Sequence, residues 1–228
     1  MTDNPVSPVV LAIDIGGSHV KILTSAGGAE RKVVSGPKMD ASALVDAVEK
    51  LAAGLDYDVV SMGYPGPVVH NRVLAEPHNL APGWVGYDFG ARFKKPTKIV
   101  NDALMQAVGS YNGGRMLFLG LGTGLGAAMI VDNVAQPMEI AHLLYRKDRT
   151  YEDYLGEASL EKRGLRRWGK FVFDATERLR AALEPDDVVI GGGNVTRLTD
   201  LPSGARRGEN TNAFKGGFLL WTDPALRL

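Results

Sequence analysis

Apolar residues in this chain alternate between short unbroken runs and longer stripes of helical spacing. Val9–Ile15 is an apolar run of strand length, interrupted only by Asp14 and closed by Gly16-Gly17-Ser18. Lys21–Thr24 follows at once, so the pattern predicts a β-hairpin, with His19 as a structural residue inside it. Ala41–Leu55 places Leu44, Val45, Val48, Leu51 and Ala52 on one helical stripe. Asp58–Met62 reads as the next strand and runs into Gly63-Tyr-Pro-Gly-Pro67, a loop stiffened by two prolines. Pro77–Leu80 and Pro82–Trp84 continue as loop, Tyr87–Phe93 as a short helix, and Thr97–Val100 as a strand. Ala103–Tyr111 is the helix that follows, with Asn101-Asp102 at the corner between them.

The second half repeats this grammar. Arg115–Leu121 is an apolar strand that turns through Gly120-Leu-Gly-Thr-Gly-Leu-Gly126 into Ala127–Val131. Two strand–glycine turn–strand units about one hundred residues apart predict a duplicated architecture with a cleft between lobes. Gly156–Leu183 is a long helical region, interrupted near Gly164, with Trp168, Phe171, Val172, Ala175, Leu179 and Ala182 as its buried stripe. Asp187–Ile190 is a buried strand opening onto Gly191-Gly-Gly-Asn194, and Asn212–Trp221 reads as a final helix with Phe214, Phe218 and Leu219 apolar.

Composition narrows the function classes. Lysine plus arginine equals aspartate plus glutamate at 26 each, so no overall field recruits nucleic acid or an anionic membrane. The 28 glycines gather in turns rather than in a repeat, which points to loops that approach a ligand closely. Cysteine is absent, excluding disulfides and Cys-based zinc sites and suiting a cytoplasmic location. No apolar run reaches the roughly 20 residues of a spanning helix, and Met1–Pro8 lacks the apolar core of a signal peptide. A soluble protein is expected.

The candidate chemistry lies at the turns. Asp102, at a strand-to-helix corner, stands at the carboxyl edge of a sheet, where ligands bind in α/β proteins; Asp and Asn also cap helices there. Gly16-Gly17-Ser18 offers backbone N–H groups and a hydroxyl to phosphate, and Asp14 can hold Mg²⁺ or its water shell; a plain hairpin turn is the alternative. No Walker-type G-x-x-x-x-G-K-[ST] is present. Glu139 and His142, three apart, can share a face of one helical turn and bond hydroxyls of a polar substrate, or simply lie on the surface. Trp84 is either core or a sugar-binding wall. Lys162, Arg163, Arg166, Arg167 and Lys170 make one helix face basic, for water or for a polyanion.

Together these segments resemble the repressor–open-reading-frame–kinase (ROK) sugar kinases of the actin–hexokinase superfamily. Asp14-Ile-Gly-Gly-Ser-His-Val-Lys21 is similar to the family's first phosphate loop, with Ser18 in place of the usual Thr. Pro65-Gly-Pro67, Asn79-Leu80 and Gly83-Trp84 look like its sugar-side loops, and Asn101-Asp102-Ala103 like its catalytic corner. Gly122-Thr123-Gly124-Leu-Gly126 looks like the second phosphate loop, and Gly191-Gly192-Gly193 like the adenosine-side turn. Glu139 and His142 match Glu-x-Gly-His, with Ala141 replacing the Gly, and Glu152 matches a further sugar-binding Glu. The family's Cys-rich zinc loop is missing, so no structural zinc is expected, and Arg163–Trp168 with Gly208–Gly217 looks most like the polyphosphate glucokinase branch.

The resemblance implies a two-lobed α/β fold of the ribonuclease H-like, hexokinase type. Its expected lobes are 1–112 and 113–211, with the C-terminal helix 212–228 packing back on the first. The implied activity is phosphoryl transfer from polyphosphate or ATP to the 6-hydroxyl of glucose or a related hexose. Asp102 would be the base; Asn79, Asn101, Glu139, His142 and Glu152 would hold the sugar. Asp14, Gly16, Gly17, Ser18 and Lys21 would face the phosphates with Mg²⁺. A homodimer is the expected assembly, without nucleic-acid or membrane partners. The alternative is a non-catalytic sugar-binding or regulatory relative; about eight residues precede the first strand, too few for a helix-turn-helix.

Overall fold

The computed structural model describes residues 7–228. Its first sheet begins with the predicted hairpin, β1 (Val10–Ile15) and β2 (His19–Thr24), antiparallel with Asp14 opposite Lys21. β3 (Arg31–Val34) extends the hairpin at the edge. Helix α1 (Ala41–Leu51) crosses to β4 (Val59–Tyr64), which pairs parallel to β1. The small hairpin β5 (Val68–Val69) and β6 (Arg72–Val73) and helix α2 (Phe89–Phe93) precede β7 (Thr97–Asn101), parallel to β4. The order is β3-β2-β1-β4-β7, and α3 (Asp102–Ser110) leaves directly from its last strand.

The second sheet repeats the plan. β8 (Arg115–Leu121), β9 (Leu125–Val131) and β10 (Val134–Met138) run antiparallel. A 3₁₀ turn (Ile140–His142) leads to the free-standing hairpin β11 (Leu144–Arg146) and β12 (Arg149–Thr150), then to α4 (Glu152–Leu155), α5 (Glu157–Arg163) and α6 (Leu165–Leu183). β13 (Asp187–Gly191) pairs parallel to β8, and β14 (Ala205–Arg207) parallel to β13, before α7 (Asn212–Thr222). The order β10-β9-β8-β13-β14 has the same connectivity and strand directions as the first sheet. The duplicated, two-lobed α/β architecture expected from the hairpins is present.

Three apolar clusters hold these layers. One face of the first sheet (Leu11, Ile13, Ile22) packs on α1 through Leu44, Val45 and Val48. One face of the second (Leu117, Leu119, Ile190) packs on α6 through Trp168, Val172 and Leu179. Between the sheets lies α3, whose Leu104, Met105 and Val108 join Phe118, Ile130, Val189 and Leu220 in a third cluster. α3 touches strands of both sheets, and α7 lies against α3, β1 and β4.

Several boundaries differ from the sequence reading. α1 stops at Leu51, not Leu55, where Ala52 ends the hydrogen-bonded turns. β4 runs on through Gly63 and Tyr64, which were expected in the loop. The long helical region does break at Gly164, whose φ of 76° lies in the left-handed range that favours glycine. Ala182 is exposed, and the buried stripe of α6 includes Thr176, whose hydroxyl donates to the Val172 carbonyl at 2.8 Å. The strands not predicted at all (β3, β10, β14 and the two small hairpins) are short edge or isolated pieces. They carry Arg31, Lys32, Pro137, Arg206 and Arg207, as exposed edges do.

Candidate active site

The candidate site is built around the corner between β7 and α3. Asn101 is the N-cap of α3: its Oδ1 accepts from the Leu104 N–H at 3.1 Å, and its Nδ2 donates to the Gly66 carbonyl at 3.1 Å. One side chain therefore starts the helix and pins the Pro65–Pro67 loop, keeping one donor and one lone pair for a ligand. Because Asn101 caps, Asp102 is released from that task and stands at the first helical position, accepting from the Ala103 N–H at 2.8 Å.

Asp102 keeps a window onto the cleft, yet protein surrounds it closely enough that desolvation pushes its pKa up to about 7, with the Asp14 carboxylate adding to the rise. Glu139 contributes in the same direction. Asp14, at the end of β1, is raised to about 6, again chiefly by burial, with Lys21 opposing. Asp14 and Glu139 thus stand near enough to Asp102 to disfavour its charged form.

The glycine turns meet one another. A Cβ built on Gly17 would lie 3.7 Å from Thr123 Oγ1 and 3.8 Å from Asn79 Nδ2, so the first turn, the second turn and the Asn79 loop converge. Ser35 braces the first turn through the Gly16 carbonyl (2.7 Å). The second is braced by Asn194 Nδ2 on the Gly122 carbonyl (3.1 Å) and by the Glu157 N–H on the Gly122 and Thr123 carbonyls (3.1 Å each). Gly192, at φ 81°, presses against Leu121, where a Cβ would lie 2.4 Å from the carbonyl oxygen. The triple glycine Gly191–Gly193 is thereby seated behind the second turn.

Glu139 and His142 bracket the 3₁₀ turn, exposed and 3.6 Å apart. Glu152 lies on the other side of the β11–β12 hairpin, its Oε2 accepting from the Leu125 N–H at 3.3 Å, directly under Gly124. Ser18 is exposed on the first turn, and Lys21 is the cross-strand neighbour of Asp14. Trp84 is fully buried between Tyr64 and Phe89, with its N–H on the Ala81 carbonyl, so it is core and not a sugar-binding wall.

Other residues matter that the sequence reading did not flag. Glu76 gathers the N–H groups of Gly83, Trp84 and Val85 (2.9–3.2 Å), which lower its pKa and tie down the loop carrying Asn79. Arg149 lines a cavity of about 290 Å³ beside Thr123, together with Thr150, Ser159, Lys162 and Arg163. Of the basic helix residues, only Lys162 and Arg163 reach this cavity; Arg166, Arg167 and Lys170 are exposed on α6. Arg163 also stacks on Tyr154, 4.6 Å from its ring centre, so part of its role is packing. Among the described residues, no group of three or more His, Cys, Asp or Glu converges as a metal cage, and no helix is long and apolar enough to cross a membrane.

Residues 10–137, more than half of the chain, match the model of the ROK family. A polyphosphate/ATP-glucomannokinase from Arthrobacter sp. strain KM superposes with a TM-score of 0.81 at 21% identity, covering 95% of this chain and 99% of its own. A ROK family glucokinase from Streptomyces griseus, solved with glucose and AMPPNP, gives 0.76 at 17% identity over 94% and 99%. A ROK family transcriptional regulator, a homolog of the E. coli MLC protein, gives 0.72 at 15% identity over 95% of this chain and 78% of that one. A search of curated protein sequences finds no match.

Proposed function

The chain belongs to the ROK family, and from that premise we propose that it is a sugar kinase, moving a phosphoryl group from polyphosphate or ATP to the 6-hydroxyl of glucose or a related hexose. The observation that supports this most is Asp102: a carboxylate freed from capping by Asn101, with a pKa raised to about 7, facing two glycine turns. A sugar hydroxyl is a weak nucleophile, and a base matched to neutral pH takes its proton as the new P–O bond forms. Asn79, Asn101, Glu139, His142 and Glu152 orient the sugar, and the backbone N–H groups of the turns at Gly16–Ser18 and Gly122–Gly124 receive phosphate oxygens. We read the lobes as 1–112 with α7, and 113–211; their closure would exclude water, the competing nucleophile.

Mg²⁺ fits this arrangement. That cation takes one or two carboxylates and completes its shell with water and substrate phosphates, so a single half-buried Asp14 beside a phosphate turn is sufficient, and a protein cage is not required. The cation would supply charge neutralisation on the transferred group.

The donor question is carried by the cavity beside Thr123. Arg149, Lys162 and Arg163 extend positive charge outward from the second turn, where a chain longer than a nucleoside triphosphate would continue. The test is sugar-dependent consumption of ATP and of polyphosphates of graded length. Apparent affinity should rise with polyphosphate length and fall steeply with salt. Arg149→Glu and Lys162→Glu together should weaken polyphosphate use by about tenfold or more and leave ATP use near wild type. Turnover with ATP alone would remove polyphosphate from the reading. Sugar binding without consumption of either donor would favour a sugar-sensing relative, the kind represented by the regulator neighbour.

A further inference from the structure

Among the described residues the β11–β12 hairpin has no neighbouring strand and pairs only Leu144 with Thr150 and Arg146 with Arg149; it turns through Lys147 and Asp148 at positive φ. A two-stranded hairpin of this size is not stable by itself in water. Yet it connects the turn carrying Glu139 and His142 to the start of α4, where Glu152 stands. Something outside the hairpin must fix it.

We infer that Asp174, on α6, is a positioning residue: it anchors the β11–β12 hairpin and thereby sets the Glu139–His142 turn relative to Glu152. Its carboxylate accepts from the Tyr145 hydroxyl, from Arg146 at 2.8 Å and from Arg178 at 2.8 Å. Two of these three donors belong to β11 itself. Partial burial works against the charged form of Asp174, but the bonds from Tyr145, Arg178 and Arg146 outweigh it and hold the pKa below the usual carboxylate value. Burial and the adjacent carboxylate push the Tyr145 hydroxyl's pKa up, so it remains a donor.

Rings extend the anchor to both flanks. Tyr145 stacks on Tyr151 with centres 4.7 Å apart and meets Tyr154 edge-on at 5.2 Å; Tyr154 meets Phe171 of α6 at 4.8 Å. Arg146 and Arg178 lie over the Tyr145 ring at 5.2 and 5.5 Å. Tyr151 immediately precedes Glu152, and its N–H returns to the Leu143 carbonyl next to His142 (3.0 Å). Asp174 is thus the anion on which three donors converge, beside four rings. Loss of that anion leaves two guanidinium groups without their partner and loosens the hairpin, which a site of converging hydrogen bonds registers as poorer ground-state binding.

The consequence for turnover rests on the kinase reading above. Asp174→Asn should raise the sugar KM by about tenfold while kcat and the donor KM stay within about twofold. Asp174→Glu should recover part of the loss, and Tyr145→Phe, which keeps the ring and removes the hydroxyl, should reproduce part of it. Hydrogen exchange supplies the readout independent of activity: amides of 143–146 should exchange faster in Asp174→Asn, with β8 and β9 unchanged. An unchanged sugar KM with unchanged hairpin exchange overturns the inference. So does a fall in melting temperature and kcat with the sugar and donor KM values changed alike, which marks general destabilisation. If the wild-type protein phosphorylates no sugar, the kinase reading fails, and the exchange data alone decide the anchor.

Discussion

Asp102→Asn is expected to lower turnover by at least ~10²-fold and, at pH 8, to raise the melting temperature. The two effects have one origin. In the folded protein Asp102 holds its proton up to about pH 7, while the unfolded chain releases it near the ordinary value of 3.8. Between these values the native state binds more protons than the unfolded one, so this group's contribution to stability declines as pH rises from about 4 to about 7. Above that range the protein carries an ionised carboxylate beside Asp14, the form needed to accept a proton and the form least welcome to the fold. Asparagine keeps the shape, and its Oδ1 can still accept from the Ala103 N–H, without the charge. Wild-type kcat/KM for sugar should therefore rise through about pH 7 to a plateau, and the variant's melting temperature should vary less with pH across that window. Near-wild-type turnover in the variant removes Asp102 from the role of base. A lower melting temperature at pH 8 shows that its environment does not disfavour the charge.

Gly216→Ala should be the most damaging small substitution for stability, at about 3 kcal/mol or more. A Cβ there would lie 1.8 Å from the Met105 carbonyl oxygen, and on the facing helix a Cβ at Gly109 would lie 1.9 Å from the Asn212 carbonyl oxygen. Both obstacles are backbone atoms, so no rotamer change relieves them, and α3 and α7 would have to separate. That separation also lifts Gly217 from Ala12 and breaks the Ser61 hydroxyl bond to the Gly217 carbonyl (2.6 Å). For a chain of this size the loss lowers the melting temperature by roughly 6–12 °C. Gly193→Ala is the control, since nothing lies within 4 Å of its Cβ position; it should melt within about 2 °C of wild type. A Gly216→Ala protein that also melts within 2 °C would show that the helices do not meet as closely as this.

The two hairpins, the Asp102 corner, the break at Gly164 and the final helix are legible in the sequence because each is marked by a local signal: an apolar period, a glycine cluster or a change between the two. β3, β10 and β14 are not, since an edge strand loses its apolar signal to the charges and proline that protect it. At the corner itself, two adjacent capping residues look alike in sequence; only the backbone shows that Asn101 caps and Asp102 does not. The nearness of Glu152 to Gly124, and of Arg149 to Lys162, comes from a hairpin folding back over a turn, and residue spacing holds no record of it. The basic face read from Lys162 to Lys170 divides in three dimensions into cavity-lining, ring-stacking and exposed members.

Helix α7 also imposes an order on biosynthesis. The second sheet has all its strands once β14 has emerged from the ribosome, whereas the Ala12 and Ser61 side of the first sheet waits for α7. That helix is made on the order of 200 residues after β1, a delay of roughly 10–40 s at ordinary translation rates. During this interval the earliest-made sheet is covered by α1 on one face and keeps part of the other open. The α7-covered side of the oldest strands is then among the last surfaces of the chain to be sealed.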